Sequence, residues 1–332
     1  MNKVTIQDIA RAANVSKSTV SRVLNGTAVV NEEKRQAVLA ATERLEFRPN
    51  VVARSLASGR SMTIGILTQN IGSPFYDTVA QGVIAGMAGT GYSPIFVDGQ
   101  WEQTTESEVI RTLLGRNVDG LVLIGGALPV DELNELKDKL PTIVVGRKVD
   151  GWDDQCIHVD NVDAGLRATR HLLDLGHRDI AFIRGIKDHP DAIDRCTGYT
   201  QALADAGIVS NPDLVIDGDF SGEAGVLAIN SLMERGIHFT AVFAANDMVA
   251  FGARLALYRH GLRVPEDVSV VGFDDQAEAA FATPPLTTMR QPAAEMGSAA
   301  AEALIRIING EDFEVPPLQI ELQARESTAP LQ

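Results

Sequence analysis

The stretch VTIQDIARAANVSKSTVSRVLNG, residues 4–26, predicts two short helices joined by a tight turn. Thr5 can cap the first helix, in which apolar residues recur at helical spacing. Asn14 interrupts this pattern and tolerates the left-handed backbone of a turn. Ser16 can then cap a second helix that ends at Asn25.

The second helix has one apolar face and one polar face. Arg22, on the polar face, can make a bidentate pair with guanine, and Lys17 and Ser18 can reach bases or phosphates. This layout is typical of a DNA-binding helix-turn-helix, whose second helix enters the major groove. A plain helical hairpin with a solvated polar face is the alternative, and the pattern alone does not separate the two.

The distribution of charge favours DNA binding by the first part of the chain. The net charge of the 332 residues is −15, but residues 1–60 carry +5 and the remainder −20. A basic head on an acidic body is expected of a DNA-binding module joined to a separate sensing domain. Screening acts over about 8 Å at physiological salt, so the acidic body need not prevent binding by the head.

Two more helices are predicted before the composition changes. Asn31 can cap a third helix, which Pro49 ends. The following segment NVVARSLASGR, residues 50–60, predicts a helix so short that it should order only against a partner.

Residues 1–60 resemble the headpiece of the lactose-repressor and galactose-repressor family of bacterial transcription regulators. VTIQDIARAANVSKSTVSRVLNG and RPNVVARSLASG occur in the family's order and spacing. The resemblance implies a hinge helix over residues 50–58 that pairs with its dimer mate in the minor groove, where Leu56 wedges open a base step. A small apolar contact inside a linker is the other reading of Leu56. The implied DNA-contacting residues are Thr5, Ser16, Lys17, Ser18, Thr19, Ser21, Arg22, Asn25, Asn50, Ala53, Arg54 and Leu56.

Beyond Met62, apolar strand runs alternate with helical stretches, and this pattern occurs twice. In the second occurrence we expect helices to begin near Val162, Arg195, Gly222, Asp247 and Gln276. Such βαβ texture predicts two doubly wound parallel-sheet lobes with a ligand in the crevice between them. The whole chain is therefore predicted to be an all-α helix-turn-helix headpiece plus an α/β body. By resemblance the body is similar to a periplasmic binding protein.

The resemblance also implies the domain boundaries. The headpiece covers residues 1–49, the hinge 50–60 and the body 61–332, with the chain crossing between lobes near Asp160, Gln291 and Leu322. The N-lobe would comprise 61–160 and 291–322, and the C-lobe 161–290 and 323–332. Nothing after Leu331 can form the leucine-rich tetramerising tail of some members, so we expect a homodimer.

Polar and aromatic residues at the strand ends suit a sugar. Carboxylate, amide and guanidinium groups make paired hydrogen bonds with vicinal hydroxyls, and aromatic faces complete such a site. By resemblance, six residues match effector-contact positions of the family: Phe75, Tyr76, Arg195, Phe220, Asn246 and Asp274. Trp101, Arg147 and Asp191 complete the set of predicted effector-binding residues. Capping of the following helix is the competing interpretation. We prefer it for Asp160, Asp247 and Asp275, and hold it equal for Asp191 and Trp152.

Catalytic and membrane classes find no support in the sequence. There is no nucleophile elbow, zinc-protease motif or phosphate-binding loop, and the six histidines show no metal-ligand spacing with Cys156 and Cys196. We expect no enzyme activity, no cofactor and no metal. Without an export signal or a long apolar run, we expect a cytoplasmic protein whose two cysteines are reduced.

The predicted function is that of a sequence-specific transcription regulator. It would repress carbohydrate-utilisation genes and leave a palindromic operator when a mono- or disaccharide binds. A regulator of the same fold that answers to a co-repressor such as a purine, or to a protein partner, is the first alternative. A sugar-binding transport protein fits residues 62–332 but leaves the headpiece without a purpose.

Overall fold

The computed structural model describes residues 4–25, 30–45, 47 and 60–331. The chain divides into two compact units, Met1–Ser61 and Met62–Gln332.

The described residues of the first unit form three helices around a small apolar core. They are α1 (Ile6–Ala12), α2 (Lys17–Asn25) and α3 (Glu32–Arg44). Ile9, Val20 and Val38 contribute one fully buried side chain from each helix. The turn between α1 and α2 places Asn14 at φ 52°, the left-handed conformation that the sequence predicts. Asn31 caps α3 by accepting a hydrogen bond from the Glu33 amide at 2.8 Å, also as predicted.

The second unit begins with a five-stranded parallel sheet, which we call the N-lobe sheet. Its strand order is β2-β1-β3-β4-β5, and every pairing in it is parallel. The strands are β1 (Thr63–Thr68), β2 (Ser93–Asp98), β3 (Gly120–Ile124), β4 (Thr142–Val145) and β5 (Cys156–Ile157). The helices between them are α4 (Pro74–Gly86), α5 (Gln103–Gly115) and α6 (Val130–Lys139).

A six-stranded sheet follows, which we call the C-lobe sheet. Its order is β11-β10-β9-β8-β6-β7, with only β11 antiparallel to its neighbour. The strands are β6 (Ile180–Ile183), β7 (Val215–Ile216), β8 (Ala241–Ala244), β9 (Ser269–Asp274), β10 (Thr287–Arg290) and β11 (Glu321–Gln323). The helices are α7 (Asn161–Asp174), α8 (Pro190–Asp205), α9 (Gly222–Glu234), α10 (Asp247–Arg259) and α11 (Ala293–Asn309).

Helix α11 returns to the N-lobe, where it packs against α4 at very short range. A Cβ on Gly82 would lie 2.1 Å from the Ala294 carbonyl oxygen, and one on Gly297 would lie 2.0 Å from that of Val79. Only glycine permits this approach of two backbones. This close packing of α4 against α11 explains why glycine stands at both positions.

Three details differ from the sequence-based expectations. Glu321 and Leu322 pair with β10, so the third crossing between lobes precedes Glu321. Helix α8 begins at Pro190, because His189 and Pro190 form a strong start signal, and Arg195 therefore lies inside the helix instead of opening it. The helix expected near Gln276 is a single 3₁₀ turn, Ala277–Ala280.

Within the described residues, no helix is long and apolar enough to cross a membrane. Cys156 and Cys196 are both free thiols.

Candidate functional site

Helix α2 presents a polar face in the first unit. Lys17, Ser18 and Arg22 are exposed on it, while Val20 on the opposite face is fully buried. This is the division of faces that a helix needs in order to reach base edges while it stays anchored to a core. Thr5 is also exposed, and Thr19 and Ser21 are half-buried.

Several of the predicted DNA-contacting hydroxyls also hold the helix ends. The Ser16 Oγ accepts a hydrogen bond from the Thr19 amide at 3.1 Å, as an N-cap does, and lies 2.8 Å from the Ser18 Oγ. At the start of α1, the Thr5 hydroxyl and amide both donate to the Asp8 carboxylate, at 2.7 and 3.0 Å. These bonds lower the pKa of Asp8 and fix its charge at the positive end of α1.

Asn50, Ala53, Arg54 and Leu56, together with the side chain of Asn25, lie outside the described residues. Their predicted DNA contacts stay predictions.

Five of the nine predicted effector-binding residues line one cavity in the second unit. They are Phe75, Tyr76, Trp101, Arg147 and Asp191, and the cavity is completed by Gly125, Gly126, Gly146, His189 and Pro190. The residues come from loops and from the first turns of α4 and α8, all of which follow the carboxyl ends of parallel strands in the two lobes. The space left between them is about 10 Å³, on the order of one water molecule.

Aromatic rings form one wall of this cavity. Phe75 and Tyr76 meet edge to face at a centroid distance of 5.3 Å, and Tyr76 meets Trp101 at 5.8 Å. Trp101 has φ 59°, and its amide donates to the Gln69 side-chain oxygen at 3.0 Å, which holds the indole in place. The ring lies across Gly125, where a Cβ would be 3.1 Å from the indole. A larger residue at that position would displace Trp101.

Arg147 is the cationic group of the N-lobe side of the cavity. Its Nη1 donates to the Gly126 carbonyl at 3.0 Å. Burial lowers the pKa of Arg147, and the nearby Glu106 carboxylate opposes that effect. Glu106 is itself fully buried and accepts hydrogen bonds from the amides of Ala127 and Leu128. It thereby braces the loop that carries Gly125 and Gly126.

Arg195 is buried beneath the C-lobe side of the cavity, with an exposed fraction of 3 %. Its Nε donates to the Asn161 side chain at 2.9 Å, its Nη1 donates to the Ala245 carbonyl at 2.6 Å, and its Nη2 lies 3.7 Å from Asp191. The guanidinium also stacks 3.7 Å from the centre of the Phe273 ring. Arg195 therefore holds Asp191, which lines the cavity, in a fixed position.

Asp274 is the last residue of β9 and has a left-handed backbone, with φ 104°. Its Oδ1 accepts a hydrogen bond from the Gln291 side-chain amide at 2.7 Å, and its Oδ2 lies 3.4 Å from the Gln276 side-chain nitrogen Nε2. Burial raises the pKa of Asp274 to about 6, against the lowering effects of Arg195 and of these two glutamines. Together with Asp191 and burial, Asp274 also raises the pKa of Tyr76. Asp274 is not itself among the cavity-lining residues.

Phe220 and Asn246 serve the packing of the C-lobe loops. The Asn246 Oδ1 accepts from the Val249 amide at 2.9 Å, and its Nδ2 donates to the Phe220 carbonyl at 3.0 Å, so both ends of the amide are engaged. Phe220 has φ 68°, and its ring occupies the space over Gly185. Neither residue lines the cavity, and their roles in effector binding stay predictions.

The residues that we assigned to capping fall into three cases. Asp160 caps α7 through a 2.8 Å hydrogen bond from the Asp163 amide, as expected. Asp247 does not cap α10, because Asn246 does; its buried carboxylate instead accepts from Thr288 at 2.6 Å and from the Gln276 amide at 2.8 Å. Asp275 pairs with Arg325 at 2.7 Å.

Trp152 is a structural residue. It is 1 % exposed in the N-lobe core, and its indole nitrogen donates to Asn134 at 2.8 Å.

Sequence reasoning missed four residues that shape the site: Gln69, Glu106, Asn161 and His189. His189 carried a signal, because a residue with a side-chain acceptor directly before a proline is typical of a helix start. Glu106 carried none, since a glutamate in a predicted helix is normally exposed. In the described part of the chain, no group of three or more His, Cys, Asp or Glu side chains is placed to hold a metal ion.

Each of the two units matches a known protein family. Residues 5–50 match the family model described as bacterial regulatory proteins, lacI family, and residues 169–328 match the periplasmic binding protein-like domain. Catabolite control protein A of Priestia megaterium is 32 % identical over 329 residues, which cover 98 % of this chain and 99 % of that protein. The ribose operon repressor of Haemophilus influenzae is 36 % identical over 317 residues, 96 % of each chain.

Solved structures agree with these relatives. The lac repressor dimer bound to operator and an anti-inducer has a TM-score of 0.88 and 28 % identity, with 99 % of this chain and all of that chain covered. These proteins are transcription regulators, and the headpiece and two-lobed body described above have the same architecture. The chain belongs to the LacI family of DNA-binding transcription regulators.

Proposed function

We propose that this regulator represses carbohydrate-utilisation genes and leaves a palindromic operator when a small sugar binds in the body. The cavity beside Trp101 carries the proposal. Its aromatic wall suits the C–H faces of a sugar ring, and Arg147 and Asp191 offer a donor set and an acceptor set for hydroxyls. We include Arg195 and Asp274 in the site. Arg195 forms an ion pair with the cavity-lining Asp191, and the charge of Asp274 contributes to the raised pKa of the cavity-lining Tyr76.

The names of similar proteins support a sugar without deciding it. They include the ribose operon repressor and a cellobiose complex of the regulator CelR, which is 33 % identical with a TM-score of 0.73. Repressors named PurR are also similar, such as that of Photobacterium profundum at 34 % identity over 98 % of this chain. A purine is therefore the second effector to test.

The proposed repressor acts as a homodimer. Large apolar side chains are exposed on α9, on α10 and directly after the 3₁₀ turn Ala277–Ala280: Leu227 at 60 %, Tyr258 at 78 % and Phe281 at 85 %. Exposed apolar groups of this size are typical of surfaces that another chain covers. We propose that a second copy covers them.

We propose that a sugar changes the arrangement of the lobes. Ligand pockets measure about 300–1,000 Å³, far more than the roughly 10 Å³ left between these side chains. Entry of a sugar therefore requires the cavity walls to separate. The sugar shifts DNA affinity by the ratio of its affinities for the two arrangements. The hinge, residues 50–60, would transmit the change to the headpiece.

Fluorescence anisotropy of the protein on palindromic duplexes tests this function. The titrations include D-ribose, cellobiose and hypoxanthine, at fixed salt because affinity depends steeply on it. Release by a saccharide is expected. Asp274→Asn should bind the operator as the wild type does and fail to respond to that saccharide.

Three other results would change the proposal. Binding that hypoxanthine strengthens would replace the sugar with a purine co-repressor. Specific binding that no small molecule alters would indicate a protein partner. Equal binding to every duplex would contradict a palindromic operator.

A further inference from the structure

His189 lies at the junction of the cavity and helix α8. It is the N-cap of that helix, lines the cavity and is 9 % exposed. Its ring meets the Trp101 indole edge to face at 4.5 Å and the Phe220 ring at 5.3 Å. The imidazole is therefore enclosed by aromatic rings on the C-lobe side of the same cavity.

The capping bond determines which ring nitrogen carries the proton. The Asp191 amide lies 3.2 Å from the His189 Nδ1 and can only donate, so Nδ1 must offer its lone pair. A neutral imidazole in this position has its hydrogen on Nε2. In the protonated ring, the Nδ1–H would point at the Asp191 N–H, and two hydrogen-bond donors would face each other. Burial lowers the pKa of His189 and Arg195 lowers it further, against the effect of Asp191, which favours the neutral ring.

The Nε2 edge of the ring is buried and unsatisfied. Across residues 4–25, 30–45, 47 and 60–331, no protein group accepts a hydrogen bond from it. A buried N–H without an acceptor costs about 1–3 kcal/mol, so a group that accepts from Nε2 relieves that cost.

We propose that His189 is a specificity-determining residue of the cavity: its Nε2–H donates to an oxygen of the bound sugar. The inference rests on the proposed function and names one requirement of the ligand. The ligand must present an oxygen lone pair next to the Trp101 ring. An N–H donor at that position, such as an amino group that replaces a hydroxyl, meets another donor and is rejected. Asp191, an acceptor that lines the same cavity, takes a hydroxyl hydrogen of the same ligand.

The first test measures the tautomer and needs no ligand. Nitrogen-15 NMR of the full chain labelled at histidine, assigned with His189→Asn, gives the protonation of each ring nitrogen at pH 7.5. The expected result is a neutral ring with hydrogen on Nε2. A ring with hydrogen on Nδ1, or a cationic ring, would overturn the inference.

The second test separates the donor from the cap. His189→Asn keeps a side-chain acceptor for the end of α8, because Asn is a strong N-cap, and removes the donor in the cavity. His238→Asn is the matched control, since His238 is 78 % exposed on the surface. Calorimetric titration uses D-ribose or cellobiose, whichever releases the operator. His189→Asn should weaken binding roughly 10-fold with an unchanged melting temperature, and His238→Asn should weaken it not at all.

A series of monodeoxy derivatives of that sugar identifies the oxygen. The derivative that lacks the hydroxyl oxygen accepting from Nε2–H should bind the wild type and His189→Asn with equal affinity, because this hydrogen bond is absent in both complexes. Wild-type affinity of His189→Asn for the parent sugar would refute the inference. If no saccharide releases the operator, the proposed function fails, and the NMR result then decides the state of His189 by itself.

Discussion

Asp274→Asn is expected to stabilise the body at neutral pH while it removes the response to the effector. The Asp274 carboxylate lies at the end of β9. Among residues 4–25, 30–45, 47 and 60–331, no cation is in hydrogen-bonding contact with it, and its donors are the side-chain amides of Gln291 and, at a longer distance, Gln276. Asn has the same shape and no charge. Its Oδ1 can accept from Gln291, and its Nδ2 can donate to the Gln276 Oε1 once that amide turns over. Within the described residues that oxygen is buried and has no hydrogen-bond partner.

The magnitude follows from the pKa of Asp274. Its rise from 3.8 to about 6 means that the folded state binds more protons than the unfolded state between those values. Stability therefore falls as the pH rises through that window, and the whole penalty is present above pH 6. This rise in pKa corresponds to a penalty of about 3 kcal/mol in the free energy of unfolding, because a change of one in pKa is equivalent to about 1.36 kcal/mol. Asp274 is partly exposed, so water reduces this figure, and we expect a gain of about 1–3 kcal/mol from Asn.

Urea unfolding at pH 8 and pH 5, at one protein concentration, measures the gain. It should be largest at pH 8 and roughly half as large at pH 5, where the wild-type carboxyl is mostly protonated. Asp160→Asn is the control, because Asp160 caps α7 and Asn caps equally well. A loss of stability in Asp274→Asn at pH 8, or a gain of the same size at both pH values, would refute this reasoning.

Three further predictions concern single side chains. Arg195→Ala leaves Asp191 and Asn161 without their shared partner. We therefore expect the free energy of unfolding to fall by about 3–5 kcal/mol and the melting temperature in scanning calorimetry to fall by several degrees. An unchanged melting temperature would contradict the role of Arg195. Arg22→Ala should cost about 1–3 kcal/mol of operator affinity at one base pair per half-site in anisotropy titrations, whereas an equal loss on all sequences would make Arg22 a phosphate contact. Burial lowers the pKa of His177, the Ala329 carbonyl opposes this effect, and Arg178 adds to it. When the pH falls below 6.5, the unfolded state therefore binds a proton before the folded state does, and the free energy of unfolding decreases. His177→Gln should flatten that dependence between pH 7.5 and 5.5 in urea unfolding, and a curve parallel to wild type would show that another group is responsible.

The types of the secondary-structure elements and the family could be predicted from local sequence patterns. Helical spacing, caps and turn residues act within a few positions along the chain, so the helix-turn-helix around Asn14 and the alternation of strands and helices could be predicted from local pattern. The same locality explains why Asp160 could be recognised as a cap. The motifs of residues 1–60 indicated the family that the comparisons confirm.

Which polar side chains share the cavity, and which hold its walls, depends on the three-dimensional arrangement of distant loops. Asn246 and Asp274 both follow strands in the sequence, yet one caps a helix and the other carries a raised pKa, because the difference lies in the partners that distant loops bring to them. His189 and Trp101 are 88 positions apart and meet at 4.5 Å across the two lobes. Burial, pKa and hydrogen-bond satisfaction are set by such long-range contacts, and a linear pattern does not contain them.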